Sequence, residues 1–490
     1  MTKKDYFQIS TAIDYPSGFP HVGHMYEKVC TDVIARWKRL QGLKVHFSTG
    51  LDEYGSKIEK YAKVKNMDPQ TFVDYMSHFF LKLCSLYNIS YDDFIRTTEK
   101  RHAKIVNDIF MKIYNKGDIY KGEYEGLYCI DCETFYLEKD LDNGCCPIHK
   151  ISAEVIKEES YFFKMSNYKE KLIKYIKENP NFIRPIKKRN EILNRLKEPL
   201  KDLSISRTSV DWGIRLPIDN KHTNYIWMTA LINYLTTVDY PNKKFNDFWP
   251  CMHIIGSDIV WHHVVIWGSI LMSVGLELPE IYVHGFINIK GKKMSKSSGV
   301  VVDPLKLTDK YHTDAIRYFL IREIPFGQDG DFSEDHLARR LNNELANDLG
   351  NLFTRTMTMA QKYFQGKIPK GKNQLKFDIE KIKILMENYE LHNALSEIWK
   401  CISEVNRYLN EKKPWKNKNE RSTIIYTALD SIRIISILLY PFIPSTSEKI
   451  NLTLGLRSGH LKDCKPNLLK GKVKKPIILF KKVEYGKSKI

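Results

Sequence analysis

The chain has 490 residues, of which 43% are hydrophobic and 28% charged. That balance is ordinary for soluble globular domains, with length for two to four of them, and it argues against a disordered or fibrous chain. The formal net charge of +19 favours a polyanionic partner, although charge alone also fits a membrane surface or plain solubility. Met1 to Ser10 is charged and lacks an apolar stretch, so no signal peptide is expected. No uncharged apolar run reaches spanning length, so no membrane role is expected and the cytoplasm is the expected place. Nine cysteines are present, four of them at 129, 132, 145 and 146, which suggests a reducing compartment with one local metal site.

In chain order, Tyr6 to Ala12 reads as a short buried strand and is followed by a Pro/Gly turn. His21 to Leu40 has helical apolar spacing, Val45 to Ser48 is a second strand, and Glu59 to Cys84 reads as one helix. Strand, turn, helix, strand is the opening of a doubly wound nucleotide-binding fold. Residues 117–218 change character and read as an inserted module carrying the cysteines. The α/β pattern resumes near Tyr225, with a short apolar piece at Ile254 and Ile255. A buried helix is expected from Asp258 to Val274, and a strand from Ile281 to Ile289. From about Leu337 strand signals fade. Asn343–Phe364, Ile379–Leu409 and Thr423–Leu439 read as the helices of a bundle. In the Lys-rich tail, Ile477 to Phe480 is expected to dock back.

Five features can carry chemistry. His21-Val22-Gly23-His24 opens the first helix, where free N–H groups and the dipole suit phosphate and two imidazoles can donate to an oxyanion. Fifteen histidines make one such pair about an even chance; its place after a strand and a turn gives it weight. Gly291 to Ser298, G-K-K-M-S-K-S-S, is either a solvated basic turn or a phosphate clamp with Lys293 and Lys296 as charges and Ser295 and Ser297 as donors. Gly256-Ser257-Asp258 follows a strand and can take ribose hydroxyls or cap a helix. Cys129-x-x-Cys132 with Cys146-x-x-His149 has the spacing of a closed tetrahedral Zn²⁺ site, with Cys145 as a substitute for Cys146. In the bundle, Asn351 and Arg355 share a helix face, and Trp415, after proline and among lysines, suits base stacking. Helix packing or helix capping is the competing role for all three.

Together these residues resemble the class I aminoacyl-tRNA synthetases, and within them the methionyl branch. The carriers are His21-Val22-Gly23-His24 and Lys293-Met294-Ser295-Lys296-Ser297, with the zinc knuckle, Gly350 to Arg355, Asn406 to Trp415 and the closing P-I-I-L-F-K-K-V-E. The likeness runs from Phe7 to about Glu484. It implies a Rossmann-like doubly wound parallel sheet as catalytic domain, an inserted zinc-knuckle connective domain, and an α-helical anticodon-binding bundle. The expected spans are 1–116 and 219–336 for the catalytic halves, the second with the Lys/Ser loop, 117–218 for the insertion, and 337–490 for the bundle and tail.

The resemblance also implies roles. Ile13, Tyr15, Asp52, Trp227, Ala230, Leu231, Tyr234, Ile259 and His263 match a methionine pocket, in which Asp52 holds the ammonium and Tyr15 and His263 offer hydrogens to sulfur. His21, His24, Lys293 and Lys296 would embrace ATP, with Gly23, Ser295 and Ser297 beside them and Gly256 and Asp258 near the ribose. Asn351, Arg355 and Trp415 match anticodon-reading positions. The implied activity is ATP-dependent activation of L-methionine, then transfer to the 2′-hydroxyl of the terminal adenosine of tRNA(Met), serving initiation and elongation. Mg²⁺ would accompany ATP, and one Zn²⁺ would be structural. A monomer is expected, since no appended tRNA-binding module is seen. Tyr54, Thr229, Ser257 and Gly268 depart from the family's usual His, Asp, Lys and Pro. A weakened paralogue that only holds tRNA is therefore the alternative from another class. The interval between His24 and Lys293 leaves no room for the long editing insertion of the leucyl, isoleucyl and valyl enzymes.

Overall fold

The strand Tyr6–Thr11 is buried along its last four residues, as a strand covered on both faces must be. It is β1 of a six-stranded sheet whose other members are β2 (Lys44–Leu51), β3 (Asp93–Arg96), β4 (Ile183–Arg184), β5 (Met252–Gly256) and β6 (Glu280–His284). The order is β3-β2-β1-β5-β6-β4. β1 with β5, β2 with β3, and β6 with β4 pair in parallel. The order reverses between β1 and β5, so ligands are expected at the carboxyl ends of those two strands. The computed structural model describes residues 5–129, 134–136, 138–148, 150–289, 292–293, 302–457 and 459–484.

The chain divides into two units. One comprises Met1–Pro20, His46–Lys82 and Tyr91–Val283, and the other His21–Val45, Leu83–Ser90 and His284–Ile490. The first holds most of the parallel sheet and an antiparallel sheet formed by Ile119–Cys129, Thr134–Tyr136, Glu154–Phe163 and Leu203–Ser204. The stretch 117–218 is not confined to the antiparallel sheet, because Ile183 and Arg184 pair with Ile281 and Tyr282 at the edge of the parallel one. Its helices also contribute Leu172, Ile176 and Ile192 to the main core of that unit.

The second unit contains helix α1 (Val22–Leu40) and the helical bundle. Arg421–Leu439 has the length and hydropathy to cross a membrane, but 89% of that window is buried in the bundle. Inside this unit α1 is fixed by a buried charge cluster. Asp32 binds Arg36 and Arg317, each at 2.7 Å, and Arg317 also donates to the carbonyls of Tyr87, Pro441 and Phe442. Burial alone would raise the Asp32 pKa; Arg36 and Arg317 outweigh it and hold the carboxyl below its ordinary value.

Three expected elements are broken. The helix expected over Glu59–Cys84 is two, Ser56–Val64 and Pro69–Leu86. Asn66 takes φ +54° between them, and Pro69 opens the second with the Asp68 carboxylate accepting from Thr71 N at 3.0 Å. The strand expected over Ile281–Ile289 is two, Glu280–His284 and Ile287–Ile289, in different sheets. Gly285 lies between, where a Cβ would meet the Gln328 backbone at 2.2 Å. Ile379–Leu409 splits into Ile379–Glu387 and Leu391–Lys412, with Tyr389 at φ +61°. Of the tail patch, Leu479 and Phe480 dock, while Ile477 and Ile478 are exposed.

Candidate active site

In the first unit, the residues after β1 and β2 are laced together. Asp14 N donates to Gly50 O and Asp52 N to Asp14 O, both at 2.8 Å. Gly50 permits this close packing, since a Cβ there would lie 2.0 Å from Ile95 O. Asp52 is thereby held at the carboxyl end of the sheet, 8% exposed. Tyr15 follows β1, and its hydroxyl donates to Tyr54 O at 2.9 Å.

The short helices Ile226–Ala230 and Asn233–Thr236 carry Trp227, Ala230 and Tyr234, with Leu231 between the two. Leu231 and Tyr234 belong to one apolar cluster, with Tyr15, Trp227 and Ile259 packed against it. His263 joins them through the Tyr234 hydroxyl, 2.7 Å from its Nε2. Gly256 ends β5, and Ile259 N donates to its carbonyl. Asp258 lies in the turn between.

The protons here are assigned by their partners. The Ile259 carbonyl, 3.0 Å from His263 Nδ1, can only accept, so Nδ1 carries the proton and Nε2 accepts from Tyr234. Burial pushes His263 down to about 4, so it is neutral. In this structure the Tyr15 hydroxyl donates to Tyr54 O and His263 Nδ1 to Ile259 O.

Two neighbours escaped the sequence reading. His262 stacks on Trp227 with centroids 3.8 Å apart and planes 19° apart. His253 lies 3.8 Å from the Tyr234 ring, accepts from Trp267 Nε1 at 3.3 Å and lies 2.8 Å from Ser10 Oγ. Burial pushes His262 down to about 3 and His253 well below its ordinary value. Thr229, one of the departures, turns its hydroxyl back to Ile226 O at 2.8 Å and is buried.

In the second unit, His21 caps α1. Gly23 N donates to His21 Nδ1 and His21 N to His24 Nδ1, both at 3.1 Å. The two rings stack with centroids 3.8 Å apart. Each Nδ1 is an acceptor, so in the neutral rings each Nε2 carries a proton. Val22 N donates to Val302 O at 3.2 Å, which ties the start of α1 to the chain just beyond the Lys/Ser segment. The backbone of Lys293 pairs with Asn288. Ser295, Lys296 and Ser297 lie outside the described residues.

Of the four expected metal ligands, Cys132 and His149 lie outside the described residues. Cys129 and Cys146 are completely buried, and Cys146 Sγ accepts from Ile148 N at 3.4 Å. Cys145 is half-buried, and its backbone bridges to Asp142 and Ser152. A buried sulfur that accepts a backbone N–H suits a thiolate ligand, so Cys146 fits the site better than Cys145. In the bundle, Arg355 donates to Asn410 Oδ1 at 2.8 Å and Asn406 Oδ1 at 3.3 Å. Asn351 is exposed one turn away, and Trp415 is 41% exposed.

A doubly wound parallel sheet, a histidine-capped helix and a helical bundle define the architecture of a class I aminoacyl-tRNA synthetase. The model of tRNA synthetases class I (M) matches residues 7–151 and 136–357, and that of the anticodon-binding domain of tRNA ligase matches 373–475. The chain is 45% identical to a methionine–tRNA ligase of Caldanaerobacter subterraneus, over 99% of its own length and 80% of the relative's. It is also 45% identical to one from Clostridium tetani, over 93% and 74%. A Mycobacterium tuberculosis methionyl-tRNA synthetase in complex with methionyl-adenylate superposes with a TM-score of 0.92 at 35% identity, covering 97% of this chain and 99% of that one. The chain belongs to the methionyl-tRNA synthetase family.

Proposed function

We propose that this chain activates L-methionine with ATP and transfers it to tRNA(Met) through the residues described above. Asp52 takes the ammonium, and Tyr15, Trp227, Ala230, Leu231, Tyr234, Ile259, His263 and Ile13 surround the side chain. A methionine carboxylate oxygen attacks the α-phosphorus of ATP. The bond from that phosphorus to its bridging oxygen breaks, and pyrophosphate leaves with the electron pair. The terminal 2′-hydroxyl of tRNA then attacks the acyl carbon, the bond from that carbon to the phosphate oxygen breaks, and AMP leaves with the electron pair while the hydroxyl proton passes to the leaving phosphate. No protein nucleophile is required; positioning and charge stabilisation lower the barriers.

The observation that carries this reading is the capping arrangement of His21 and His24. Backbone N–H groups occupy both Nδ1 atoms, which leaves the proton of each imidazole on Nε2. Those Nε2–H groups are suited to phosphate oxygens, with Gly23 between them and Lys293, Ser295, Lys296 and Ser297 adding charge and donors. Gly256 and Asp258 take the ribose. Mg²⁺ arrives on the ATP phosphates as part of that substrate.

One Zn²⁺ held by Cys129, Cys132, Cys146 and His149 fits the buried thiols and would close the knuckle without an open coordination position. Asn351, Arg355 and Trp415 read the anticodon. The enzyme acts as a cytoplasmic monomer. ATP–pyrophosphate exchange across the amino acids tests the core of the proposal. Methionine is expected to drive exchange, and exchange with leucine or cysteine instead would sink it. Trp415→Ala is expected to slow tRNA charging about tenfold while exchange persists; equal losses in both steps would mean a folding role.

A further inference from the structure

The chain leaves β2 just before Asp52, and the backbone groups that follow are tied one after another. Asp52 N donates to Asp14 O and Glu53 N to Thr97 Oγ1, both at 2.8 Å. Glu53 O accepts from Trp212 Nε1 at 2.6 Å, and Tyr54 O accepts from the Tyr15 hydroxyl at 2.9 Å. Gly55 N donates to Trp212 O at 3.1 Å. Two of these five bonds are made by Trp212, one with its side chain and one with its backbone.

Trp212 is itself fixed. It lies in the stretch 117–218, between the short strands Ser206–Arg207 and Arg215–Leu216, both of which pair with Asp219–Asn224. From that third strand the Thr223 hydroxyl donates to Val210 O at 2.6 Å, which anchors the connection two residues before Trp212. Trp212 N donates to Glu59 Oε1 at 2.8 Å, and Glu59 belongs to the helix Ser56–Val64. Trp212 and Tyr15 both pack against the apolar cluster of Leu51, Ile58 and Phe72, and the Trp212 ring lies 5.2 Å from that of Tyr54. One residue thus clasps the chain at Glu53, Gly55 and Glu59.

Glu53 is completely buried, so its carbonyl depends on the indole donor. Without that donor the peptide would turn to find another, and Asp52 is the residue next to it. We propose that Trp212 is a positioning residue for the amino acid: through Glu53 O and Gly55 N it sets the backbone that aims the Asp52 carboxylate at the ammonium of methionine. The proposal rests on the ligase reading above and deepens it. The ammonium keeps its charge while the adenylate forms, so its contact with Asp52 serves ground state and transition state alike. Loosening the clasp therefore raises KM for methionine and leaves kcat in place.

The test is inhibition of methionine-dependent ATP–pyrophosphate exchange by L-methioninol and by the same alcohol without its amine. Wild-type protein is expected to prefer the amine-bearing alcohol. Trp212→Phe keeps an aromatic ring and removes the indole N–H. It is expected to lose about tenfold of that preference, with KM for methionine up about tenfold and kcat within about twofold. A preference equal to that of wild type overturns the proposal, even where both alcohols bind more weakly, because that pattern is general loosening. Should Trp212→Phe fail to fold, Glu59→Ala decides. It is expected to lose about threefold of the preference, while Glu59→Gln, whose amide oxygen still accepts from Trp212 N, keeps it. An unchanged preference in Glu59→Ala then overturns the proposal. If wild-type exchange does not respond to methionine, the ligase reading falls and this proposal with it; if it responds and the preference is unchanged in the variant, the role of Trp212 falls alone.

Discussion

The region around Tyr234 and the start of α1 both use histidines, and they use them in opposite ways. Around Tyr234 the protons are turned inward: His263 gives its proton to Ile259 O and takes one from Tyr234, and Tyr15 gives its own to Tyr54 O. At the start of α1 the backbone fills the inner nitrogens, and the protons sit on the outer ones. The contrast fits the two ligands proposed. A thioether asks for contact with polarizable surfaces and little else, whereas a triphosphate asks for donors.

Four measurements break or sharpen that contrast. Asp32→Asn should have the largest effect, because it leaves Arg317 buried without its counter-charge. We expect a loss of about 3–5 kcal/mol in stability by denaturant unfolding. The Asp32 carboxyl is depressed in the folded protein, so its contribution is whole above the ordinary carboxylate range and declines as acid titrates the folded group. In the Asp32→Asn variant that part of the acid dependence should vanish.

Next, His24→Ala removes one outward donor and should lower kcat for exchange by roughly 10²–10³, with methionine affinity intact. A parallel loss of methionine affinity would mean that the two regions are not chemically separate. Third, five histidines in the first unit are held neutral: His102 and His262 at about 3, His46 and His263 at about 4, and His253 well below 6.5. The unfolded chain takes up those protons first, so the stability they contribute is whole above about 6.5 and falls as pH drops below it. Unfolding at pH 7.5 and 5.5 should show the protein weaker at 5.5, and equal stability would contradict the neutral assignment. The smallest effect concerns norleucine, the hydrocarbon analogue of methionine. With the Tyr15 and His263 hydrogens held by backbone carbonyls, discrimination in exchange should stay within about tenfold; a factor of 10⁴ would show that a donor is released when substrate binds.

Much of this was legible in the sequence. β1, α1 and β5 announce themselves through apolar spacing and a Pro/Gly turn, and the histidine pair falls on the predicted helix start. The breaks at Asn66 and Tyr389 did not show, because a single left-handed residue leaves the apolar period on either side intact. Gly285 was hidden for another reason: its constraint comes from Gln328, remote in sequence. The inward protons depend on backbone carbonyls placed by tertiary folding, which no motif records. His262 was missed beside a predicted neighbour because His262–Ile266 forms a π-helical turn, whose extra residue shifts the faces that a regular helix would present.

Arg317 also sets a mechanical tolerance. From Asp32 back to Val22 is about 15 Å of helix at 1.5 Å per residue. With Asp32 as fulcrum, a tilt of roughly 4° would swing the histidine end by about 1 Å, the scale on which catalysis falls about a hundredfold. The fulcrum is clamped by the carbonyls of Pro441 and Phe442, in the turn after Arg421–Leu439. The aim of the histidines is thus set by a joint more than four hundred residues further along the chain.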